Sequence, residues 1–278
     1  MEKFIVAAIQ MNSQDDKEEN LKNMISLIQE GANRGAKLIA LPENANYLGP
    51  DIQANAEEVP NGPTFKTLAQ QAIKHGVWIH CGSIPEKNTG DPRPYNTTMV
   101  INPKGELAAR YRKIHTFDVD IKDGPKVRES DRICPGDRII TLDTQEVGHL
   151  GLSICYDIRF GEMFRWMALR GANIFLTPAN FTLNTGKDHW EPLLRTRSIE
   201  NGCYTIAPAQ WGIKFQFHAY GKSMIIDPWG NVIAKAPDSS CVITAEVDLD
   251  YLHSVRNQVL TLENRRTDIY RVSTKECG

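Results

Sequence analysis

Residues 150–159 read LGLSICYDIR, an apolar run that changes abruptly to polar residues after Cys155. An apolar run of this length is typical of a buried strand in an α/β protein. Because the pattern breaks directly after the cysteine, we predict a sharp strand-to-helix turn that presents the sulfur. Backbone N–H groups that follow such a turn can bind a developing oxyanion. The segment therefore predicts a strand that ends in a candidate nucleophile.

Two further segments carry an ionisable residue just past the end of a predicted strand. LPEN (41–44) follows the strand pattern KLIA (37–40), and YRKIH (111–115) follows another strand. Open α/β sheets form their ligand sites beyond the carboxyl ends of strands. Together the three segments supply the thiol of Cys155, the carboxylate of Glu43 and the ammonium of Lys113.

Strand-like and helical patterns alternate along the rest of the chain. Strands are predicted at 4–10, 37–41, 77–82, 96–101, 106–111, 150–154, 172–177, 203–208, 223–226, 232–234 and 242–247, and helices at 16–35, 62–76, 161–170 and 187–201. Hairpin signals at 102–105 and 227–231 argue against a purely parallel, doubly wound sheet. We predict an α/β fold of two mixed sheets, each covered on one face by helices. No linker divides the chain, so 1–278 is expected to form a single domain with 251–278 as a polar C-terminal arm.

Composition excludes several classes of function. The 278 residues carry a formal net charge of −2, which gives no basic surface for nucleic acid or an anionic membrane. No apolar stretch approaches the roughly 18 residues that span a bilayer, and the MEKFI start enters a strand without a signal-peptide pattern. The six cysteines are far apart and form no CxxC pair, so neither a metal site nor a redox dithiol is indicated. A reducing cytoplasm is the expected compartment.

A cysteine thiol is mostly protonated at neutral pH and needs a base or a positive neighbour to react. His115 and His189 are the histidines near the suspected site, and His189 beside Trp190 fits a structural role. A desolvated glutamate can take the thiol proton and return it to a leaving amine. Glu43 fits that role because Pro42 fixes the backbone before it, and the Lys113 ammonium would stabilise the oxyanion.

These segments resemble the nitrilase superfamily of carbon–nitrogen hydrolases over nearly the whole chain. The resemblance is carried by LPE (41–43), YRKIH (111–115) and GLSICYDIRF (151–160), with support from TG (185–186), HWE (189–191) and DPWG (227–230). It implies a four-layer αββα sandwich that dimerises, with no metal or organic cofactor. It also implies a triad of Glu43 as general base and acid, Lys113 as stabiliser of the tetrahedral intermediate, and Cys155 as nucleophile.

The resemblance further implies a second active-site glutamate, which would be Glu129, although a solvated loop glutamate remains an alternative there. Candidate substrate-binding residues are Tyr156 through its N–H, Arg159, Asn180 and Phe181. Arg159 could bind a substrate carboxylate with its planar fork or pair with a carboxylate of the protein itself. The loop 211–220 could cap the pocket or form a subunit contact.

Within the superfamily the stretch HTFDVD (115–120) with Glu129-Ser130 looks most like the Nit-type amidases, whose substrates are ω-amides of α-keto acids and deaminated glutathione. Two departures from that branch are Gly161 in place of proline and Lys222 in place of histidine. The resemblance implies hydrolysis of a small, carboxylate-bearing amide. N-carbamoyl hydrolysis, a papain-like use of Cys155 with His189, and a catalytically silent binding module remain alternatives.

Overall fold

The computed structural model describes residues 3–122 and 124–273, which form seventeen strands and five α-helices. The strands are β1 Lys3–Gln10, β2 Ala36–Ala40, β3 Trp78–His80, β4 Ile84–Glu86, β5 Tyr95–Ile101, β6 Leu107–Arg112, β7 Asp118–Asp120, β8 Lys126–Arg128, β9 Thr141–Asp143, β10 His149–Leu152, β11 Ile174–Leu176, β12 Tyr204–Ala207, β13 Trp211–Ile213, β14 His218–Tyr220, β15 Met224–Ile226, β16 Val232–Lys235 and β17 Cys241–Asp248. The helices are α1 Lys17–Asn33, α2 Pro63–His75, α3 Gly161–Leu169, α4 Leu183–Asn201 and α5 Leu249–Gln258.

Two mixed sheets form the body of the fold, as the sequence predicts. The first has the order β17-β1-β2-β3-β5-β4, with β6 pairing β5, and the second has the order β16-β15-β12-β11-β10-β9. Each sheet has a parallel centre, β1-β2-β3 or β10-β11-β12, and antiparallel neighbours on both sides. The parallel centres place the carboxyl ends of their strands at common edges, where functional groups can meet.

Alternation along the strands of the first sheet creates the layers. In β1, Val6 and Ala8 join an apolar cluster with residues of β10 and β11, whereas Ala7 and Ile9 join another with α1 and α2. Successive side chains of a strand point to opposite faces. The first sheet therefore lies between the helix layer and the second sheet, whose outer face packs against α3 and α4. This is the αββα sandwich.

The helix boundaries follow local signals. Asp16 caps α1 by accepting a hydrogen bond from the Glu19 N–H at 3.0 Å. Proline at the first position opens α2, and Gly76, in the left-handed region with φ 63°, ends it. None of the helices in the described ranges is long and apolar enough to cross a bilayer.

Two regions differ from the sequence prediction. The segment 211–220, predicted as a loop, is the two-stranded hairpin β13–β14. The arm predicted from 251 begins instead with α5, which Asp248 caps by accepting hydrogen bonds from the N–H groups of Asp250 and Tyr251. The sequence prediction also lacks the short strands β4, β7, β8 and β9.

Candidate active site

A cavity of about 390 Å³ lies where the loops after the parallel strands of both sheets meet. Its polar lining contains Glu43, Lys113, Glu129 and Cys155. All four predicted catalytic residues are thus brought to one cavity, although Cys155 and Lys113 come from different sheets. The remaining walls are largely apolar, with Leu48, Ile52, Phe117, Val127, Phe181, Phe215 and Phe217 among the residues that line it.

Cys155 occupies the predicted sharp turn after β10. Its φ is 50°, in the left-handed region that non-glycine residues adopt rarely. The Cys155 N–H donates to the Pro178 carbonyl at 2.8 Å, and a 3₁₀ helix of residues Cys155–Arg159 follows immediately. The N–H of Tyr156 lies in the first turn of that helix, where N–H groups have no acceptor within the helix. The turn therefore presents the thiol beside an available backbone donor.

Glu43 is buried and held from both its side chain and its backbone. Its Oε1 accepts hydrogen bonds from Asn96 Nδ2 at 2.9 Å and Lys113 Nζ at 3.1 Å, and its carbonyl accepts from Gln210 Nε2 at 3.0 Å. Gly82, with φ 69°, packs so closely behind this loop that an added Cβ would lie 1.9 Å from the Pro42 oxygen. The carboxylate of Glu43 is therefore fixed in orientation.

Lys113 follows β6 and lies between two carboxylates. Its Nζ is 3.1 Å from Glu43 Oε1 and 2.8 Å from Glu129 Oε2, and the lysine is only 2 % exposed. Burial alone would lower the pKa of Lys113, but the carboxylates of Glu129 and Glu43 outweigh it and raise that pKa well above its ordinary value. The two carboxylates therefore stabilise the charged form of Lys113. Glu129 forms an ion pair with this lysine and is not a solvated loop carboxylate.

The thiol of Cys155 is protonated in the resting site. Burial raises its pKa well above the ordinary value, the Glu43 carboxylate raises it further, and Lys113 opposes the shift. Glu43 and Lys113 are thus the two charged groups that act on the sulfur, in opposite directions. A thiol in this state needs Glu43 to remove its proton at the moment of attack.

Asp157 joins the loops that carry the nucleophile and the lysine, a role for which no sequence signal was found. Its fully buried carboxylate accepts from the Tyr111 hydroxyl at 2.6 Å and from the Ile154 N–H at 2.8 Å. It also contacts His115, at 3.2 Å from the backbone N–H and 2.7 Å from Nδ1. Since Tyr111 and His115 flank Lys113, and Ile154 precedes Cys155, one carboxylate fixes both loops.

Three of the four predicted substrate-binding residues line the cavity, namely Tyr156, Asn180 and Phe181. Among the described residues, those that line the cavity do not include Arg159. Its guanidinium carbon is 5.6 Å from the centre of the Tyr156 ring and 5.4 Å from that of Phe181, and Nη1 is 3.2 Å from His189 Nδ1. His189 is exposed and contacts Arg159, which leaves Glu43 as the base next to the thiol.

Lys214, at the tip of the hairpin β13–β14, is a cavity residue that sequence reasoning missed. It is 5 % exposed, and its Nζ contacts Asn12 Oδ1 at 2.7 Å, Gln210 Oε1 at 3.0 Å and the Ser13 carbonyl at 3.2 Å. Burial lowers the pKa of Lys214 to about 7. The residues of the hairpin tip, Lys214 to Phe217, line the cavity.

The two departures from the Nit-type pattern lie away from the reacting groups. Lys222 Nζ is 2.7 Å from Asp238 Oδ1, and Lys222 lies outside the described lining of the cavity. Gly161 is the first residue of α3, where an added Cβ would lie 3.1 Å from Arg197 Nη1. Over the described residues, no group of three His, Cys, Asp or Glu side chains could hold a metal ion.

Comparison with known proteins gives a consistent family assignment. A model of the carbon–nitrogen hydrolase family matches residues 5–257. The chain is 40% identical to a deaminated glutathione amidase of Synechocystis sp. over 95% of this chain and 99% of that protein. It is 38% identical to the omega-amidase NIT2 of Xenopus tropicalis over 99% of this chain and 100% of the relative. Among solved structures, the NitFhit protein of C. elegans superposes with a TM-score of 0.90 at 34% identity, covering 99% of this chain and 69% of that one.

Proposed function

Since the chain belongs to the carbon–nitrogen hydrolase family, we propose that it is an amidase that hydrolyses a small linear amide through a thioester on Cys155. The observation that carries the proposal is the convergence of Cys155, Glu43 and Lys113 on one cavity, where the buried Glu43 carboxylate lies 3.1 Å from Lys113 Nζ. Relatives named omega-amidase and deaminated glutathione amidase support an amide as the substrate.

The first half of the reaction forms the thioester and releases ammonia. Sγ of Cys155 attacks the amide carbon while Glu43 takes the thiol proton. The oxyanion of the tetrahedral intermediate is stabilised by Lys113 Nζ and the Tyr156 N–H, and removal of one such donor typically costs about 10²–10³ in rate. The carbon–nitrogen bond then breaks as Glu43 passes its proton to the leaving nitrogen.

The second half regenerates the enzyme. Water attacks the thioester carbon, and Glu43 takes a proton from that water. The second tetrahedral intermediate collapses to the acid, and the proton returns to the sulfur of Cys155. The sum is amide plus water giving carboxylic acid plus ammonia, and no step calls on a metal or organic cofactor.

The other cavity residues position the reacting groups and the substrate. Glu129 holds the Lys113 ammonium in position through contacts of 2.8 and 3.1 Å. Asn180 and Phe181 contact the acyl chain from the wall beside the thiol. Arg159 supports the cavity wall indirectly, because its guanidinium packs against the rings of Tyr156 and Phe181.

Ammonia release tests the proposal. The wild-type protein should release ammonia from α-ketoglutaramate or deaminated glutathione faster than from N-carbamoyl amino acids or aliphatic nitriles. Cys155→Ala should lower that rate at least about 10³-fold, while Cys241→Ala, a free cysteine in β17, should not. Full activity of the Cys155→Ala variant would refute the thioester, and preference for an N-carbamoyl substrate would shift the proposal to that chemistry.

We also propose that the protein acts in the cytoplasm as a homodimer. The cysteines of the described residues are all free, which suits a reducing compartment. Ile199 on α4 and Trp229 are half exposed, at 50% and 51%, and adjoin each other through Gly230. Sedimentation equilibrium should give twice the chain mass, and Ile199→Glu should reduce it to one chain if this apolar face is the contact.

A further inference from the structure

Arg132 lies one turn away from the reacting groups and lines the same cavity. Its N–H donates to the Glu129 carbonyl at 2.9 Å, which closes the 3₁₀ turn Glu129–Asp131. Side chains three residues apart in a 3₁₀ turn project on the same side. Glu129 and Arg132 both line the cavity, so the guanidinium lies on the wall that also bears the ligand of Lys113.

The guanidinium of Arg132 has hydrogen-bonding capacity to spare. Nη2 donates to the Pro50 carbonyl at 2.6 Å, on the loop that forms the opposite rim of the cavity. Within residues 3–122 and 124–273, no carboxylate forms an ion pair with Arg132, and Asp51 on the same rim is not bonded to it. Because a guanidinium carries five N–H donors, one carbonyl leaves most of them available.

The cations that line the cavity differ in their partners. Lys113 contacts both Glu43 and Glu129, and Lys126 pairs with Asp120 at 3.1 Å. This leaves Arg132 and Lys214 as lining cations without a carboxylate partner among the described residues. Lys214 already has three oxygen acceptors, so Arg132 is the cation with donors to offer.

Apolar residues make up much of the rest of the cavity lining. Ile52, Phe117 and Val127 line the cavity on the side of the Glu129–Arg132 turn, and Phe215 and Phe217 line it from the hairpin tip. Apolar walls stabilise methylene groups rather than additional charges or hydroxyls. A ligand that fills the cavity would therefore be apolar in its middle and polar at its two ends.

We propose that Arg132 binds the carboxylate of the substrate in this cavity. The proposal rests on the amidase function above and names a specificity-determining residue for it. It assigns carboxylate recognition to Arg132, since Arg159 lies behind the rings of Tyr156 and Phe181. A bidentate contact to the guanidinium would fix the far end of the acyl chain.

Glutaramate and 5-methylhexanamide provide a matched pair of probes, because an isopropyl group replaces the carboxylate at equal chain length. Arg132→Gln should raise KM for glutaramate about 10- to 100-fold with kcat within about twofold, as expected when a uniform binding contact is lost. For 5-methylhexanamide the variant should keep kcat/KM within about twofold. Arg132→Lys should fall between, because it retains the charge but loses the planar fork.

Arg138→Gln is the matched control, since Arg138 is 68% exposed and lies outside the described cavity lining. Glutaramate binding to Cys155→Ala, measured by calorimetry with and without Arg132→Gln, provides a readout that needs no turnover. If the wild type turns over neither amide but Arg132→Gln weakens this binding at least tenfold, the amidase proposal fails and the carboxylate site stands. Equal effects of Arg132→Gln on both amides, or unchanged glutaramate binding, would overturn the assignment of Arg132.

Discussion

Two lysines line the same cavity and are almost equally buried, but their pKa values are shifted in opposite directions. Lys113 is 2 % exposed between the carboxylates of Glu43 and Glu129, and its pKa is raised. Lys214 is 5 % exposed among three neutral oxygens, and burial lowers its pKa to about 7. Burial penalises both ammonium groups, so the difference arises from the partners. Lys113, the proposed oxyanion stabiliser, contacts two carboxylates. Lys214, which bonds the tip of the hairpin β13–β14 to Asn12 and Ser13, contacts neutral oxygens.

Removal of the first lysine should give the largest effect. Lys113→Met leaves the buried Glu43 carboxylate and the partly buried Glu129 carboxylate without their cation, so the free energy of unfolding should fall by about 3–5 kcal/mol near pH 8. Amidase activity should fall by about 10³-fold or more, because oxyanion stabilisation is lost with the charge. Urea titrations of both proteins at pH 8 measure the loss of stability, and a free energy of unfolding equal to that of the wild type would contradict the expectation.

The state of the thiol between Lys113 and Glu43 can be tested by alkylation. In the wild type, iodoacetamide should react with Cys155 slowly at neutral pH, because burial and then Glu43 raise the pKa of the thiol. Glu43→Gln removes one cause of the increase and leaves the opposing effect of Lys113, so the alkylation profile should move to lower pH. Fast alkylation of the wild type below pH 7 would instead indicate a thiolate–imidazolium pair of the papain type.

Lys214→Met should change the pH dependence of stability more than its level. The pKa of Lys214 is about 7 in the folded chain and 10.5 in its unperturbed state, so the unfolded chain binds more protons between these values. This lysine therefore destabilises the fold fully below pH 7, and the penalty is relieved as pH rises toward 10.5. The free energy of unfolding of wild type minus variant, from urea titrations at pH 7, 8 and 9, should rise with pH. A flat difference would mean that Lys214 keeps an ordinary pKa.

The catalytic candidates could be predicted because each has a local signal. Glu43, Lys113 and Cys155 directly follow apolar strand patterns, and strand ends meet at the edge of an α/β sheet. The central strands and the first four helices could be predicted for the same reason, since each shows a period or an end signal.

What could not be predicted depends on contacts between distant parts of the chain. Two of the three acceptors of the buried Lys214 ammonium belong to Asn12 and Ser13, about 200 residues earlier in the chain. Arg159 is the last residue of the 3₁₀ helix that begins at Cys155, yet its side chain lies against two aromatic rings and outside the described cavity lining. Neighbours in sequence indicate which loop a residue belongs to, but packing decides which way its side chain points.

The Asp157 carboxylate has a consequence for how activity arises during folding. It bonds Tyr111 at the end of the first sheet and Ile154 at the end of the second, so neither half of the chain contains a complete set of its partners. A fragment that ends before residue 150, or one that begins after it, would be inert even if its own strands formed. Turnover should return during refolding only when the two halves dock, so the recovery of enzymatic activity with time measures the rate of that docking.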